Sequence, residues 1–357
     1  MAKKSFLQNL IKGDQLASIA ADGVSAAEYS GCLDTGSYIL NAVLSGSLYG
    51  GVPNNKVTAF AGQSGVGKSF FCLAVVKTFL EQHEEGVVIY YDTEAAITNK
   101  MMEERGIDTS RVVIAEPSTI QEFREHAVEK INQYMEVPED ERPPMLIVLD
   151  SLGMLSSNKE VTDITEKKDT RDMTKQQLIR GTFRVITLKL AKAKIPLILS
   201  NHTYQAVGQY VPTDVISGGG GVVYAASTIA TLTRKKDRDD ATKEVLGNII
   251  TVTMFKSRLS RENKKVEVKL NYDTGLDRYY GLLPLAEKYG IAKKISKKYE
   301  INGISAFEKA IYKNPTKYFT EEVMKQLEEA ASKEFKYGRD GDEENHIEET
   351  EEEENNE

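Results

Sequence analysis

The chain has 357 residues, of which 40% are hydrophobic and 28% charged, and its formal net charge at pH 7 is −8. This composition is typical of a soluble globular protein. No apolar run approaches the ~20 residues of a membrane span, and the N-terminus lacks the apolar core and cleavage site of a signal peptide. Two cysteines, Cys32 and Cys72, fit a reducing compartment. We therefore expect a cytoplasmic protein that is neither secreted nor bound to a membrane.

The negative charge is concentrated at the C-terminus, where residues 340–357 contain eleven acidic residues and no Lys or Arg. Removing these eleven from the 54 acidic residues leaves 43 against 46 basic residues in the rest of the chain. That balance permits binding to an anionic polymer. The tail has too few apolar residues to fold alone. It is either a solubilising tail or an internal competitor for the polyanion, and the sequence favours neither.

The first 30 residues contain apolar positions, among them Phe6, Leu7, Leu10 and Ile11, at spacings that largely fit a helix. A segment this short cannot bury its own apolar face. We expect it to pack either on the body of its own chain or on a neighbouring subunit.

A phosphate-binding motif follows a predicted strand at 56–61 and precedes a predicted helix. The motif, G-x-x-x-x-G-K-[ST], comprises Gly62, Gln63, Ser64, Gly65, Val66, Gly67, Lys68 and Ser69. Its glycines let backbone N–H groups point at phosphate oxygens. Lys68 is expected to reach the β- and γ-phosphates, and the Ser69 hydroxyl to ligate Mg²⁺. The positive end of the helix faces the same anion.

Three more predicted strands end in polar residues. The run 87–91 leads into Asp92 and Glu94, the run 145–149 leads into Asp150, and the run 195–200 leads into Asn201 and His202. Ligands of parallel α/β sheets bind beyond these strand ends. Glu94 or Asp92 is suited to orient a water for attack on the γ-phosphate, although either is also consistent with a surface acid. Asp150 is suited to hold Mg²⁺, and His202 is either a γ-phosphate contact or a structural histidine.

Two long segments lack a strand pattern. Residues 156–174 are polar and are predicted to form an exposed, mobile loop, and a basic helix is predicted at 175–194. Residues 203–217 form a second predicted loop with exposed aromatic residues, which either fold back or contact a partner. The glycine run 218–221 suits a loop that rearranges.

The last core strands are predicted at 249–255 and 264–270, on either side of Lys256 and Arg258. Helical segments are predicted at 282–289, 307–312 and 320–333. The predicted organisation is an N-terminal oligomerisation segment (1–30), a nucleotide-binding core (31–273), a small C-terminal domain (274–338) and a disordered acidic tail (339–357).

Five blocks, in order, resemble those of RecA-type recombinases and, within that family, the UvsX group of phages. They are residues 62–69, 90–94, 146–151, 200–203 with the glycine run, and 256–258. The resemblance implies an α/β fold, with a RecA-like P-loop ATPase core whose mainly parallel twisted sheet is flanked by helices. It also implies an N-terminal helix that packs on the neighbouring subunit.

The resemblance also implies residue roles. Glu94 matches the glutamate that activates the hydrolytic water, and His202 stands where bacterial RecA proteins have a γ-phosphate-sensing glutamine. Lys256 and Arg258 match residues that reach the ATP of the adjacent subunit. Thr98 and Met101 occupy the adenine-contact positions, where bacterial RecA proteins have Asp and Tyr. The DNA-contacting residues implied in and around the two loops are Lys159, Lys167, Lys168, Arg171, Arg180, Tyr204, Tyr210, Gly219 and Gly220.

The expected function is that of a DNA-dependent ATPase, using ATP and Mg²⁺, that forms helical filaments on single-stranded DNA and catalyses homologous pairing and strand exchange. Such a protein acts in recombination, repair and recombination-dependent replication. Its expected partners are single- and double-stranded DNA, further copies of itself, single-strand-binding proteins and recombination mediators. If it is phage-encoded, it acts in the host-cell cytoplasm.

Three alternative functions share the nucleotide motifs. One is a hexameric helicase-like motor of the same fold, and another is a regulatory ATP-binding assembly without DNA activity. The third is a factor that loads a recombinase, against which Glu94 and the Lys256/Arg258 pair argue.

Overall fold

The structure is a computed structural model that describes residues 2–13, 19–20, 31–168, 172, 174–205, 214–217, 220–239 and 242–337. Its strands are β1 (Cys32–Leu33), β2 (Val52–Pro53), β3 (Val57–Gly62), β4 (Val87–Asp92), β5 (Val112–Ala115), β6 (Met145–Asp150), β7 (Leu197–Gln205), β8 (Asp214–Ile216), β9 (Thr228–Arg238), β10 (Val245–Ser257), β11 (Lys265–Asn271), β12 (Gly275–Leu276), β13 (Ala292–Ile295), β14 (Lys298–Ile301) and β15 (Ile304–Phe307). Its α-helices are α1 (Ala2–Leu10), α2 (Tyr38–Ser45), α3 (Lys68–Gln82), α4 (Asn99–Glu103), α5 (Ile120–Glu136), α6 (Asn158–Thr165), α7 (Lys175–Ala193), α8 (Gly220–Ala225), α9 (Leu282–Lys288), α10 (Glu308–Lys313), α11 (Pro315–Tyr318) and α12 (Glu321–Phe335).

The described residues divide into two compact units. The first lies within 1–33 and 52–229, and the second within 34–51 and 230–357. Within the described part of the chain, no helix combines the length and the apolar character needed to cross a membrane.

A parallel sheet forms the centre of the first unit. Its strand order is β3-β7-β6-β4-β5, and each neighbouring pair is parallel. β3, β4 and β6 are buried almost throughout, as expected for strands covered on both faces. The predicted mainly parallel sheet flanked by helices is therefore present.

Helices cover both faces of this sheet. Alternate strand residues, such as Ile89, Ile147 and Leu199, pack with Phe123 of α5 and Phe183 of α7 in one buried cluster. On the opposite face α3 packs on the strands, and the rings of Phe60 and Phe71 meet edge to face at 5.4 Å. Because side chains alternate along a strand, a continuous apolar run places apolar side chains on both faces of the sheet, where both sets of helices pack.

The register brings the strand ends together. Gly62 of β3 pairs with His202 of β7, and Asp92 of β4 pairs with Asp150 of β6. The phosphate loop after Gly62 and the predicted polar ends at Asp92 and Asp150 therefore meet at one edge of the sheet. The predicted strand end before His202 is wrong, because His202 lies within β7 and is its last residue paired with β3.

The predicted loop at 156–174 is partly wrong, because it contains α6. Ser157 Oγ accepts a hydrogen bond from the Glu160 amide, and the Glu160 carboxylate accepts one from the Ser157 amide. This reciprocal capping box stabilises the start of a mostly polar helix whose two apolar residues, Val161 and Ile164, are exposed.

The second predicted loop is also partly ordered into regular structure. β7 continues through Gln205 and pairs with β8 in antiparallel register. Gly220 and Gly221 of the glycine run belong to α8. Residues 206–213 and 218–219 lie outside the described residues.

The predicted N-terminal helix is present as α1. Phe6, Leu7 and Leu10 on it are exposed. Residues 14–18 and 21–30 lie outside the described part, so the oligomerisation role of this segment stays a prediction.

The second unit contains the antiparallel pair β10 and β11, at the position predicted for the late strands. The three helical segments predicted beyond residue 281 correspond to α9, α10 and α12. The sequence prediction missed the small antiparallel sheet β13-β14-β15. Its strands have four residues each and include several lysines, so their pattern resembles that of a polar loop.

Glu334 of α12 connects separate parts of the second unit. Its carboxylate accepts hydrogen bonds from Lys264 at 2.6 Å, Lys288 at 2.5 Å and the Tyr289 hydroxyl at 2.9 Å. Burial alone would raise the pKa of Glu334, but these three donors outweigh it and lower the pKa to about 2. The ionised carboxylate is therefore a stabilising link in this unit.

We predict that Glu334→Gln lowers the free energy of unfolding at pH 7 by about 2–3 kcal/mol, because the ionised form loses its partners. A carboxyl group whose pKa is lowered in the folded protein stabilises it above the unfolded pKa. The difference between the two proteins should therefore shrink as the pH falls from about 4.5 towards 2. Urea unfolding at a series of pH values measures it. Glu329→Gln, an exposed glutamate on the same helix, is the control, and an equal loss in both variants would contradict the prediction.

Candidate nucleotide-binding site

The phosphate-binding motif connects β3 to α3. Gly65 and Gly67 have φ angles of +70° and +110°, a region that residues with a Cβ rarely adopt. Val66 is buried, whereas residues 63–65 are exposed. The loop therefore has the backbone freedom and the exposed peptide groups that phosphate binding requires.

Lys68 is the first residue of α3, at the end of the phosphate-binding loop, and is buried. Its ammonium group donates to the carbonyl oxygens of Gly62 and Gln63 at 3.1 Å each, and lies 3.4 Å from His202 Nδ1. Burial lowers the pKa of Lys68, and the charges of Glu94 and Asp150 partly oppose the shift. The ammonium group is thus held beside the loop by weak acceptors that a phosphate oxygen can replace.

Glu94 and His202 belong to one hydrogen-bonded network. The Lys68 ammonium only donates, so its contact with His202 Nδ1 favours the tautomer whose ring proton lies on Nε2. Nε2 then donates to Glu94 Oε1 at 3.0 Å, and the same oxygen accepts from Ser151 Oγ at 2.7 Å. Burial alone would raise the pKa of Glu94, but the Ser151 and His202 hydrogen bonds and the charge of Lys68 lower it overall. Glu94 is therefore ionised at neutral pH, as a residue that orients a water must be.

Asp92 has a different position. It is buried, and its two oxygens accept from the backbone amides of Glu94 at 3.0 Å and Ile97 at 2.8 Å. Asp92 shapes the turn, while Glu94 lines the cavity. Of the two carboxylates left open by the sequence, the geometry favours Glu94.

Asp150 is held on both sides by hydroxyl groups. Tyr90 donates to Oδ2 at 2.7 Å, and Ser200 donates to Oδ1. Burial raises the pKa of Tyr90 well above its usual value, so this phenol remains a donor. Asp150 and the Ser69 hydroxyl both line the cavity, and these oxygen ligands fit Mg²⁺, which takes its other ligands from phosphate and water.

A cavity of about 240 Å³ joins these groups. Phosphate-loop residues, Glu94, Asp150 and His202 line its polar part, and Met101 lies among its apolar lining. The Thr98 side chain instead accepts from the Met101 amide at 3.1 Å and caps α4.

The candidate DNA contacts are distributed over several elements of the first unit. Lys159 is exposed on α6, with Lys167 and Lys168 just after it, and Lys168 pairs with Glu166. Exposed Arg180 lies on α7, exposed Tyr204 on β7 and partly buried Gly220 at the start of α8. Arg171, Tyr210 and Gly219 lie outside the described residues.

Lys256 and Arg258 belong to the second unit, Lys256 within β10 and Arg258 just beyond it. Burial lowers the pKa of Lys256, the nearby positive charge of Arg258 lowers it further, and Glu262 partly opposes both. Their predicted role toward an adjacent subunit stays a prediction.

The family model of the RecA N-terminal domain matches residues 7–277. The chain belongs to the RecA family.

Among curated relatives, the chain is 30% identical over 256 residues to the "Recombination and repair protein" of enterobacteria phage T4, which is 72% of this chain and 63% of the phage protein. It is 24% identical over 262 residues to "Protein RecA" of Malacoplasma penetrans, covering 73% of this chain and 75% of that protein. It is 25% identical over 264 residues to "Protein RecA" of Paracoccus denitrificans, covering 73% and 69%. These matches confirm the resemblance to RecA proteins and to their phage relatives.

In this RecA-family chain, the sequence prediction missed the residues that hold the predicted ones in place. Ser151 follows Asp150 directly, and Tyr90 and Ser200 are polar groups within buried strands, which is the signal that could have identified them. Gly153 was missed as well. A Cβ there would lie 3.1 Å from His202 Cδ2, so glycine leaves room for the ring.

We predict that Ser151→Ala raises the pKa of Glu94, because Ser151 provides the largest of the interactions that lower it. Titration of the Glu94 carboxyl by ¹³C NMR, with Glu94→Gln for assignment, measures the shift. Ser110→Ala removes a similar serine–carboxylate bond at Asp108 and is the matched control. An unchanged Glu94 titration in Ser151→Ala would contradict the prediction.

Proposed function

We propose that the chain is a DNA-dependent ATPase that assembles on single-stranded DNA and catalyses homologous pairing and strand exchange. The observation that carries the proposal is the network Lys68–His202–Glu94–Ser151 in a chain of the RecA family. Lys68, His202 and Glu94 line the phosphate-loop cavity, and buried Ser151 holds Glu94 from behind. The name of the T4 relative, a recombination and repair protein, supports the same function.

The phosphate groups of ATP bind the loop at 62–69 and the N-terminus of α3. Lys68 exchanges its carbonyl acceptors for phosphate oxygens, and its positive charge stabilises negative charge that develops on them. Ser69 and Asp150 would hold Mg²⁺, which supplies further positive charge at the phosphates.

Glu94 accepts a proton from the attacking water, because its carboxylate is ionised and partly exposed to the cavity. Ser151 and His202 hold its Oε1 oxygen, which leaves Oε2 available to the water. When the Lys68 ammonium moves to a phosphate oxygen, His202 Nδ1 loses its hydrogen-bond donor. Because the same ring donates to Glu94, His202 couples phosphate binding at Lys68 to the position of Glu94.

Lys256 and Arg258 are proposed to act on the ATP of an adjacent subunit in an assembled filament, where cations stabilise the transition state. The segment 1–30 is proposed to join neighbouring subunits. Hydrolysis then depends on assembly, and assembly depends on DNA.

DNA binding is proposed for the two loop regions. Lys159 and Arg180 present positive charge for phosphates, and Tyr204, whose side chain is 55% exposed, presents a ring for stacking on a base. Contacts of this kind tolerate any base sequence and weaken with salt.

We predict that single-stranded DNA stimulates ATP hydrolysis and that stimulation falls between 50 mM and 300 mM salt, because counterion release drives backbone binding.

Glu94→Gln should retain ATP binding but lose about 100-fold or more in hydrolysis rate, since general-base catalysis contributes this much. A coupled phosphate-release assay measures the DNA stimulation and the hydrolysis rates, and calorimetry measures ATP binding. The exposed carboxylate variant Glu125→Gln is the control and should hydrolyse ATP at the wild-type rate.

The outcomes separate the proposed function from its alternatives. Hydrolysis without any DNA stimulation at either salt concentration would contradict the proposal and favour a regulatory ATP-binding assembly. ATP hydrolysis by Glu94→Gln at the wild-type rate would show that Glu94 is not the group that accepts the proton of the attacking water.

A further inference from the structure

The nucleotide cavity has two chemically different parts. One part is formed by the phosphate loop and the charged groups at the strand ends. The other part is lined by apolar side chains, namely Phe70, Leu73, Ala96, Ile97 and Met101. If the polar part binds phosphates, as in the proposed function on which this inference rests, the apolar part receives the flat base of the nucleotide.

Arg105 lies behind this apolar part and contacts Met101 on one side of it and Phe70 on the other. Its Nη1 donates to the carbonyl oxygen of Met101 at 2.8 Å. Its guanidinium carbon lies 4.5 Å from the centre of the Phe70 ring. Arg105 itself is partly buried and does not line the cavity.

The two sides belong to separate helices. Phe70 lies in the first turn of α3, whose position follows from the sheet, whereas Met101 lies on α4, which has five residues. A helix this short is not stable by itself and takes its position from tertiary contacts. A charge-assisted hydrogen bond and a cation–π contact from one side chain supply such a contact between α4 and α3.

We propose that Arg105 is a positioning residue for the base of the bound nucleotide. By holding Met101 against the Phe70 side of the cavity, it keeps the base-binding walls at a fixed separation before the nucleotide arrives. Its loss therefore weakens binding of the nucleoside part of ATP and leaves the phosphate part unaffected.

The test compares two ligands, ATP and inorganic tripolyphosphate, each titrated with Mg²⁺ into the full chain by calorimetry. Arg105→Ala should weaken ATP binding about tenfold, equivalent to about 1.4 kcal/mol, and leave tripolyphosphate binding unchanged. Arg105→Lys, which keeps a positive charge over the Phe70 ring, should recover part of the ATP affinity. If Arg105→Ala does not fold, Arg105→Lys is compared with the wild type instead. We then expect a smaller loss of ATP affinity and no change in tripolyphosphate affinity.

Arg111→Ala is the matched control for a merely structural arginine. Arg111 donates to the carbonyl oxygens of Leu80, His83 and Glu84 at the far end of α3, with distances of 3.1, 2.8 and 3.0 Å. This variant should lower the melting temperature while its ATP affinity stays at the wild-type value.

Three outcomes would overturn the proposal: wild-type ATP affinity in Arg105→Ala, an equal loss of ATP and tripolyphosphate binding, or an equal loss of ATP affinity in Arg111→Ala. Failure of the proposed function looks different. If the wild-type chain binds ATP but DNA does not stimulate hydrolysis, the recombinase proposal fails while the role of Arg105 stands. If the wild-type chain does not bind ATP, both fail.

Discussion

The parallel register of the central sheet is the constraint on which the proposed nucleotide site depends. It brings the carboxyl ends of β3, β4, β6 and β7 to one edge, so that residues far apart in sequence become neighbours. Lys68 and His202 are separated by 134 positions and Glu94 and His202 by 108, yet all three share one network. A shift of one residue in any of these strands would turn its side chains to the opposite face and dismantle the site.

This network also explains how the protein keeps strong charges together at the cavity. The Lys68 ammonium lies between backbone carbonyls and the His202 ring, and the Glu94 carboxylate accepts two hydrogen bonds on one oxygen. Asp150 receives a hydroxyl on each oxygen. Because each buried charge has polar partners, its desolvation is offset before a nucleotide binds, and the groups start close to their working positions.

The sequence predicts the parts of this site that rest on local pattern. The phosphate loop is contiguous, and Glu94 and Asp150 follow buried apolar runs, so their placement at strand ends was predictable. His202 also follows such a run, but β7 continues beyond it to Gln205, because residues 203–205 pair with β8. Tyr90, Ser200 and Ser151 could not be assigned as partners because their contacts depend on register and rotamers, which the pattern does not specify. The roles of the site residues remain proposals. The helix α6 was missed although Ser157 and Glu160 give a capping-box signal, because its only two apolar residues, Val161 and Ile164, are too few to show a helical period. The strands β13 to β15 were missed because each has only four residues, and the lysines of β13 and β14 obscure the alternation of apolar and polar residues.

The most direct test of the account is strand exchange between single-stranded DNA coated by this protein and a fluorescently labelled duplex. We predict that ATP permits release of the labelled strand only when the duplex is homologous to the coated single strand, and that Lys68→Ala abolishes the release. No release from a homologous duplex would contradict the account. Equal release from homologous and unrelated duplexes would also contradict it and would indicate an unwinding motor.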